Sequence, residues 1–294
     1  MKVLVTGASG FIGRHLVREL LQAGHTVSTL HRGPALPEVR EHTQADILSA
    51  AAPLAVRGVD GIIHLAGRGN VDESFREPEL YHRVNAVGTL ALLGAAREYG
   101  AALVLASTQR VYQPRPQPLD ESAPTIPTTP YGYSKLVAET WVRAYARLHA
   151  VRGVSVRIFS VYGPGQAIQG SGGVVTIFLR RALAGEPITV TGRQRQDFSH
   201  VADIARGLRL ALERGTAGEV YNLATGVGTS ILDLAEAARA ALDARSAIHE
   251  QSRPAHDGDL VADVRKAERE LGFRAQIPLA DGLRQYAAWL RTHG

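Results

Sequence analysis

A tyrosine and a lysine four residues apart, Tyr131 and Lys135, have the types and spacing that suit acid–base chemistry. Side chains four apart on a helix share one face. A nearby ammonium favours the phenolate form of tyrosine, so it lowers the pKa of the phenol towards the working range. Lys135 can also hold the ribose of a nicotinamide nucleotide. The pair predicts an acid–base group that acts on a hydroxyl or a ketone beside a redox cofactor.

Thr108 is the third candidate, because it follows a predicted strand at residues 102–106. Parallel α/β sheets bind ligands at the carboxyl ends of their strands. The Thr108 hydroxyl can therefore hydrogen-bond the same substrate oxygen that Tyr131 protonates or deprotonates. We predict that Thr108, Tyr131 and Lys135 meet around one oxygen atom.

The first turn of the chain has the pattern of a dinucleotide site. A β-branched strand at residues 3–6 leads through Gly7, Gly10 and Gly13 into a helix at about residues 11–23. Gly7 permits the tight turn, Gly10 lets a pyrophosphate approach the backbone, and Gly13 lets the helix pack near the sheet. The free N–H groups at the helix start then face the anion.

The second predicted strand, residues 26–31, bears on the choice of cofactor. At its end, where an NAD-binding fold usually has an acidic residue against the adenosine ribose, the chain has His31 and Arg32. An arginine there can pair with a 2′-phosphate, which points towards NADP. Asp46 and Ile47, after a short third strand, are placed to hold the adenine edge. Both NAD and NADP stay open.

Strands and helices alternate as far as residue 165, which predicts an α/β fold with a doubly wound parallel sheet. Further strands are expected at residues 61–67 and 154–159, and long helices at 81–99 and 130–151. The rhythm changes after residue 165. We predict a dinucleotide-binding domain over residues 1–165 and a smaller substrate-binding α/β domain over residues 166–294, with segments near 197–223 returning to the first.

The amino-acid composition of the chain excludes several classes of function. The chain has 294 residues, 45% hydrophobic and 21% charged, with a net charge of +5 and no cysteine. Disulfides, thiolate metal sites and a cysteine nucleophile are therefore excluded, and we expect no metal. The arginines are interleaved with acids, so we expect no nucleic-acid partner. With no signal-peptide pattern and no apolar run that could span a bilayer, we expect a cytoplasmic protein without a membrane partner.

With these residues in view, the chain resembles the extended short-chain dehydrogenase/reductases, in particular the nucleotide-sugar epimerase/dehydratase branch to which UDP-glucose 4-epimerase belongs. That family has a Rossmann fold. The resemblance runs nearly end to end. Its motifs are residues 6–13, 46–47, 64–66, 85–89, 107–108, 131–135, 157–165, 197–203 and 253–254.

The resemblance implies a set of site residues. Thr108, Tyr131 and Lys135 would be catalytic. An NAD or NADP cofactor would contact Tyr131 and Lys135 together with Gly7, Gly10, Phe11, Ile12, Gly13, His31, Arg32, Asp46, Ile47, Leu65, Ala66, Asn85, Phe159 and Val161. A nucleoside-diphosphate sugar would contact Thr108, Ser160, Arg253 and one of Arg193 or Arg195. A homodimer through the helices at 81–99 and 130–151 is also implied.

His31 and Arg32 are one departure from the family pattern, and the chain has others. Ser160 replaces the usual asparagine after the sixth strand, and Gln196 replaces an arginine. Sugar 4,6-dehydratases have an acidic pair after the threonine, whereas this chain has Gln109 and Arg110. We therefore disfavour dehydration.

Three hypotheses follow. The first is an NAD(P)-dependent nucleotide-sugar 4-epimerase, in which the cofactor stays bound through both half-reactions. The alternative is an NADPH-dependent 4-ketoreductase, which His31 and Arg32 favour. A non-catalytic dinucleotide sensor is the third, but a sensor has no need of Thr108, Tyr131 and Lys135 together.

Overall fold

The computed structural model describes residues 1–166, 173–251 and 258–293. The strands are β1 (Lys2–Thr6), β2 (Thr26–His31), β3 (Glu41–Gln44), β4 (Gly61–His64), β5 (Ala102–Thr108), β6 (Gly153–Ile158), β7 (Ser160–Tyr162), β8 (Ile188–Thr191), β9 (Arg195–His200), β10 (Val220–Leu223), β11 (Gly228–Ser230) and β12 (Ile248–Gln251). The helices are α1 (Phe11–Gln22), α2 (Ala51–Leu54), α3 (Val71–Arg76), α4 (Pro78–His82), α5 (Gly88–Tyr99), α6 (Pro130–His149), α7 (Val174–Leu183), α8 (Val201–Arg214), α9 (Ile231–Ala240), α10 (Arg265–Leu271) and α11 (Leu279–His293). A π-helical stretch, Arg83–Val87, joins α4 to α5, and a 3₁₀ turn, Gln109–Val111, follows β5.

Seven strands form one sheet in the order β10-β6-β5-β4-β1-β2-β3. Every neighbouring pair in it is parallel. The inner strands are apolar and buried because helices cover both faces. The predicted Rossmann-type doubly wound sheet is thus confirmed. The strand order reverses between β1 and β4, so a crevice opens beyond their carboxyl ends.

Two apolar layers hold the helices against the sheet. On one face, Leu16 and Leu20 of α1 pack with Leu208 of α8 against the strands. On the other face, Leu92 of α5 and Val142 of α6 belong to a second buried cluster. This packing brings the first turns of α1 and α6 to the carboxyl edge of the sheet, where the predicted site residues lie.

The rest of the chain builds two small sheets, β11-β9-β7 and β12-β8. Helices α7, α9 and α11 pack around them in a third apolar cluster. The chain also returns to the large sheet, because α8 packs against α1 and β10 pairs with β6. No helix within the described ranges is both long and apolar enough to cross a membrane.

The sequence did not predict β7, β9, β11 or β12. Strand β9, for example, reads Arg-Gln-Asp-Phe-Ser-His, which lacks the apolar alternation that marks a strand. Its Asp197, Ser199 and His200 side chains are buried, and its backbone pairs with β7 on one side and β11 on the other. Helix α8 follows this strand directly and begins at Val201.

Candidate active site

The turn between β1 and α1 can be built only with glycines. Gly7 has φ +71°, and a Cβ there would lie 2.8 Å from the Ala66 nitrogen. A Cβ at Gly13 would lie 2.3 Å from the Gly7 carbonyl oxygen. Gly10 precedes α1 and no side chain caps the helix there. The first N–H groups of α1 are therefore left to bind an anion, as a dinucleotide pyrophosphate requires.

Two adjoining cavities form a long cleft across the carboxyl ends of β1 and β4. The first, about 460 Å³, contains the predicted residues Gly7, Gly10, Phe11, Ile12, Gly13, Leu65, Thr108, Tyr131, Lys135, Phe159, Ser160 and Val161. The second, about 260 Å³, contains Gly7, Gly10, His31, Arg32, Asp46, Ile47, Leu65 and Ala66. The glycine turn is common to both. An elongated ligand can therefore lie with its middle on the turn and its ends in the two cavities.

Helix α6 brings Tyr131 to Thr108. It starts at Pro130, and the Gly132 N–H donates to the Thr129 hydroxyl oxygen at 3.0 Å, which caps the helix. A Cβ at Gly132 would lie 2.4 Å from the Arg110 carbonyl oxygen, so the helix start touches the turn after β5. The Thr108 side chain interacts with the Tyr131 phenol and favours its ionised form. The predicted catalytic residues thus lie together in one cavity.

The electrostatics of the Tyr131 phenol differ from the expectation. Burial raises its pKa above the ordinary value, whereas the Thr108 side chain and the charge of Arg110 oppose that rise. The Lys135 ammonium is itself buried and donates to the Ala106 carbonyl oxygen at 2.9 Å. Burial lowers the pKa of Lys135 to about 8. The cation that opposes the rise in the phenol pKa is therefore Arg110 rather than the predicted Lys135.

A buried ion pair fixes α6 against the sheet. Arg157 of β6 donates to both carboxylate oxygens of Glu139, with its Nη2 at 2.7 Å. The Ser107 hydroxyl of β5 donates to the same carboxylate. The Arg157 guanidinium also lies 4.5 Å from the centre of the Tyr112 ring. Since Glu139 is one turn beyond Lys135 on α6, the pair sets the position of the helix relative to Thr108.

Asn85 stabilises the cleft wall from behind. It lies in the π-helical stretch and is fully buried. Its Oδ1 accepts from the Arg68 N–H at 2.8 Å, and its Nδ2 donates to the Arg68 carbonyl and to the Ser134 hydroxyl at 3.0 and 2.9 Å. Single π-helical turns are frequent at functional sites. The structure gives Asn85 the role of a support rather than of a residue lining the cleft.

Several cleft residues were not predicted as site residues. Arg68 lines both cavities, is paired with Glu73, and lies 5.6 Å from the centre of the Tyr81 ring. Gln109 and Arg110 line the catalytic cavity. Only their positions next to motif residues could have predicted that these three residues line the cleft. Arg68 closely follows the motif at residues 64–66, and the other two directly follow Thr108.

Two of the predicted diphosphate arginines, Arg193 and Arg195, do not line the two cavities of the cleft. The Arg193 side chain is 92% exposed and lies 3.7 Å from Glu250. Arg195 is exposed and donates to the Gly228 carbonyl oxygen at 2.8 Å. Arg253 lies outside the described residues. Arg110, in contrast, lines both the catalytic cavity and a further cavity of about 280 Å³ with Ser160, Gln196 and Phe198.

Comparison with known proteins identifies the family. The profile of the NAD dependent epimerase/dehydratase family matches residues 3–224. A putative UDP-glucose 4-epimerase of Methanocaldococcus jannaschii is 32% identical, covering 99% of each chain. The Thermotoga maritima UDP-glucose 4-epimerase, solved with UDP-glucose, superposes with a TM-score of 0.93 at 28% identity, covering 100% of this chain and 99% of that one. The Thermus thermophilus UDP-glucose 4-epimerase, solved with NAD, gives 0.90 at 31% identity, covering 99% of each.

The family predicted from the motifs and the nicotinamide dinucleotide cofactor predicted from the glycine turn are thereby confirmed. The chain belongs to the NAD dependent epimerase/dehydratase family.

Proposed function

We propose that this chain is an NAD-dependent nucleotide-sugar 4-epimerase, with UDP-glucose as the first substrate to test. Thr108, Tyr131 and Lys135 line one cavity beside the glycine turn, which supports oxidation and re-reduction of a sugar carbinol. UDP-glucose is suggested by the relatives, since the Thermotoga maritima enzyme was solved with that sugar nucleotide.

The hydrogen bonding of His31 favours NAD over NADP, and NAD in turn favours epimerisation over reduction. Its Nδ1 lies 2.7 Å from the Gly33 carbonyl oxygen, which only accepts, so Nδ1 bears the proton. In the neutral ring Nε2 is then an acceptor. This Nε2 is buried and has no hydrogen-bond partner among the described residues. A ribose hydroxyl supplies the donor that Nε2 lacks, whereas a 2′-phosphate brings only further acceptors near neutral pH.

Arg32 carries the case for the alternative, an NADPH-dependent 4-ketoreductase. Its side chain is 69% exposed and lies 3.5 Å from the Asp46 carboxylate. Ion pairs this exposed are weak, so a 2′-phosphate can compete with Asp46 for the guanidinium. We rank this alternative second because the buried Nε2 of His31 has to accept a hydrogen bond from the ligand, whereas Arg32 already has a partner.

The roles of the chain's own residues follow from their positions. A bound nicotinamide supplies the reversible two-electron oxidation of the carbinol carbon. Tyr131 takes the proton of the sugar hydroxyl and returns it, and Thr108 holds the same oxygen. Burial raises the pKa of the phenol, and the charge of Arg110 opposes that rise. Epimerisation therefore needs no acid–base group besides Tyr131. A dehydration would need a second one to move protons at the neighbouring sugar carbons, and the carboxamide of Gln109 is not an acid or a base near neutral pH.

The test starts with the purified protein as isolated. Mass spectrometry of the released cofactor is expected to find NAD, and UDP-glucose is expected to reach equilibrium with its C4 epimer with no added cofactor. Tyr131→Phe should lower that rate by about 10²- to 10⁴-fold while the NAD content stays unchanged. Turnover that consumes NADPH stoichiometrically would contradict epimerisation and establish the ketoreductase.

A further inference from the structure

Ser160 and Gln196, which depart from the family pattern, form one chain of hydrogen bonds with Gln109, which stands where sugar 4,6-dehydratases have an acidic residue. Gln109 Nε2 donates to the Ser160 hydroxyl oxygen at 3.0 Å. The Ser160 hydroxyl in turn donates to Gln196 Oε1 at 3.0 Å. The two bonded pairs are 51 and 36 positions apart in sequence. Departures that looked separate in the sequence are therefore one structural feature, which we call the amide relay: Gln109, Ser160 and Gln196.

The carboxamide of Gln196 presents its Oε1 to Ser160, and that orientation decides which atom of Gln109 is left over. A serine hydroxyl has a single hydrogen, and Ser160 gives it to Gln196. Ser160 can then only accept from Gln109, so the amide nitrogen of Gln109 faces the serine. The carboxamide oxygen of Gln109 is turned away from the relay as an acceptor.

This oxygen is unsatisfied in a buried place. Gln109 is 5% exposed, and its Oε1 has no hydrogen-bond partner within the described part of the chain. Leaving a buried acceptor unpaired is unfavourable, because the oxygen has lost its hydrogen bonds to water. Gln109 lines the same cavity as Thr108 and Tyr131. A ligand in that cavity is therefore the available source of the missing donor.

The relay is also well placed to hold Gln109 still. Gln109 starts the 3₁₀ turn after β5, while Ser160 and Gln196 lie on β7 and β9, which pair with each other. Gln109 thus follows a strand of the large sheet, whereas Ser160 and Gln196, which hold its side chain, belong to a small sheet. None of the three side chains titrates near neutral pH, so their arrangement does not depend on pH.

We propose that Gln109 is a specificity-determining residue whose Oε1 accepts a hydrogen bond from a hydroxyl of the bound sugar, and that Ser160 and Gln196 are positioning residues for it. This inference rests on the proposed function, because it takes the ligand of this cavity to be a nucleotide sugar. The enzyme then prefers sugars with a hydroxyl at the contacted carbon over the matching deoxy sugars.

The test measures equilibrium binding by calorimetry in the NAD-containing Tyr131→Phe background, so that the sugar is not consumed. The ligands are UDP, UDP-glucose and its 3-deoxy and 6-deoxy analogues. One deoxy analogue is expected to bind about tenfold or more weaker than UDP-glucose. Adding Gln109→Leu should weaken UDP-glucose to the level of that analogue and leave the affinity for UDP unchanged.

Ser160→Ala gives a second route if Gln109→Leu does not fold, with Ser160→Thr as the matched control that keeps the hydroxyl. Ser160→Ala should reduce the discrimination between UDP-glucose and the deoxy analogue, and Ser160→Thr should restore it. Unchanged discrimination in both Gln109→Leu and Ser160→Ala would overturn the role of Gln109 alone. Failure of the parent protein to bind any of these UDP ligands would overturn the proposed substrate as well.

Discussion

The Lys135 ammonium is a buried charge with little to offset its burial. Its Nζ has one backbone acceptor, the Ala106 carbonyl oxygen at 2.9 Å. The carboxylate one turn away, Glu139, is held by Arg157 through three contacts of 2.7 to 3.2 Å. Glu139 therefore offsets the burial of Lys135 only in part, and the pKa of Lys135 falls from 10.5 to about 8.

This shift predicts a pH dependence of stability. Below pH 8 Lys135 is protonated in both the folded and the unfolded chain, so the cost of burying its charge is present in full. As pH rises through 8 towards 10.5, the folded state loses the proton first and that cost disappears. The free energy of unfolding of the dinucleotide-free protein should therefore rise by about 3 kcal/mol relative to Lys135→Met over this range. Urea unfolding of both proteins at several pH values measures it, and a constant difference would contradict the prediction.

Among the elements, α6 does most to assemble the candidate site. Its N-terminal turn carries Tyr131, its second turn carries Lys135, and Glu139 fixes it to β6. The helix starts where it does because Thr129 caps it and Pro130 occupies its first position. The position of the Tyr131 phenol therefore depends on a cap that itself lies outside the cleft.

Thr129→Ala tests this dependence. The change removes the acceptor for the Gly132 N–H and should cost about 1 kcal/mol of stability. Because the first turn of α6 then loosens, we also expect kcat to fall several-fold with KM little changed. The matched control is Ser230→Ala, which removes the cap of α9, where the Ser230 hydroxyl accepts from the Asp233 N–H at 3.0 Å. The control should lose similar stability and keep kcat, and an equal loss of kcat in both variants would refute the idea.

At the scale of the whole molecule, α6 also presents an apolar outer face. Trp141 and Leu148 lie two helical turns apart on it and are 40% and 65% exposed. Val87, at the end of the π-helical stretch before α5, is 44% exposed. Helices α5 and α6 pack side by side. A second copy of this helix pair would cover these side chains, so we propose a homodimer in which the four helices form a bundle.

Trp141→Glu tests the dimer. A buried charge in the bundle without a partner is unfavourable by several kcal/mol, so the variant should sediment as a monomer while the wild-type chain sediments as a dimer. Val227→Glu is the control, because Val227 is 63% exposed but lies away from α5 and α6, just before β11. A wild-type monomer, or a dimer that survives Trp141→Glu, would rule out this interface.

Much of the fold and of the site could be predicted because the signals are local. The glycine turn needs close approaches that only glycine allows, and the glycines that permit them lie within seven residues of the sequence. The helix with Tyr131 and Lys135 starts at a threonine followed by a proline. Apolar strands alternating with helices indicate a parallel sheet. Each signal is a constraint between residues near one another in the chain, so the sequence alone determined the fold class and predicted the candidate catalytic set.

The tertiary structure decided which partner each polar group has. In the sequence, His31 and Arg32 pointed towards NADP, whereas in the structure His31 Nδ1 donates to the Gly33 carbonyl oxygen, which leaves Nε2 of the neutral ring as an acceptor. Burial, rather than spacing, set the direction of the Tyr131 pKa. The hydrogen bonds among Gln109, Ser160 and Gln196 join distant strands. Burial and long-range hydrogen bonding depend on the packing of segments far apart in sequence, and a reading of local pattern contains neither.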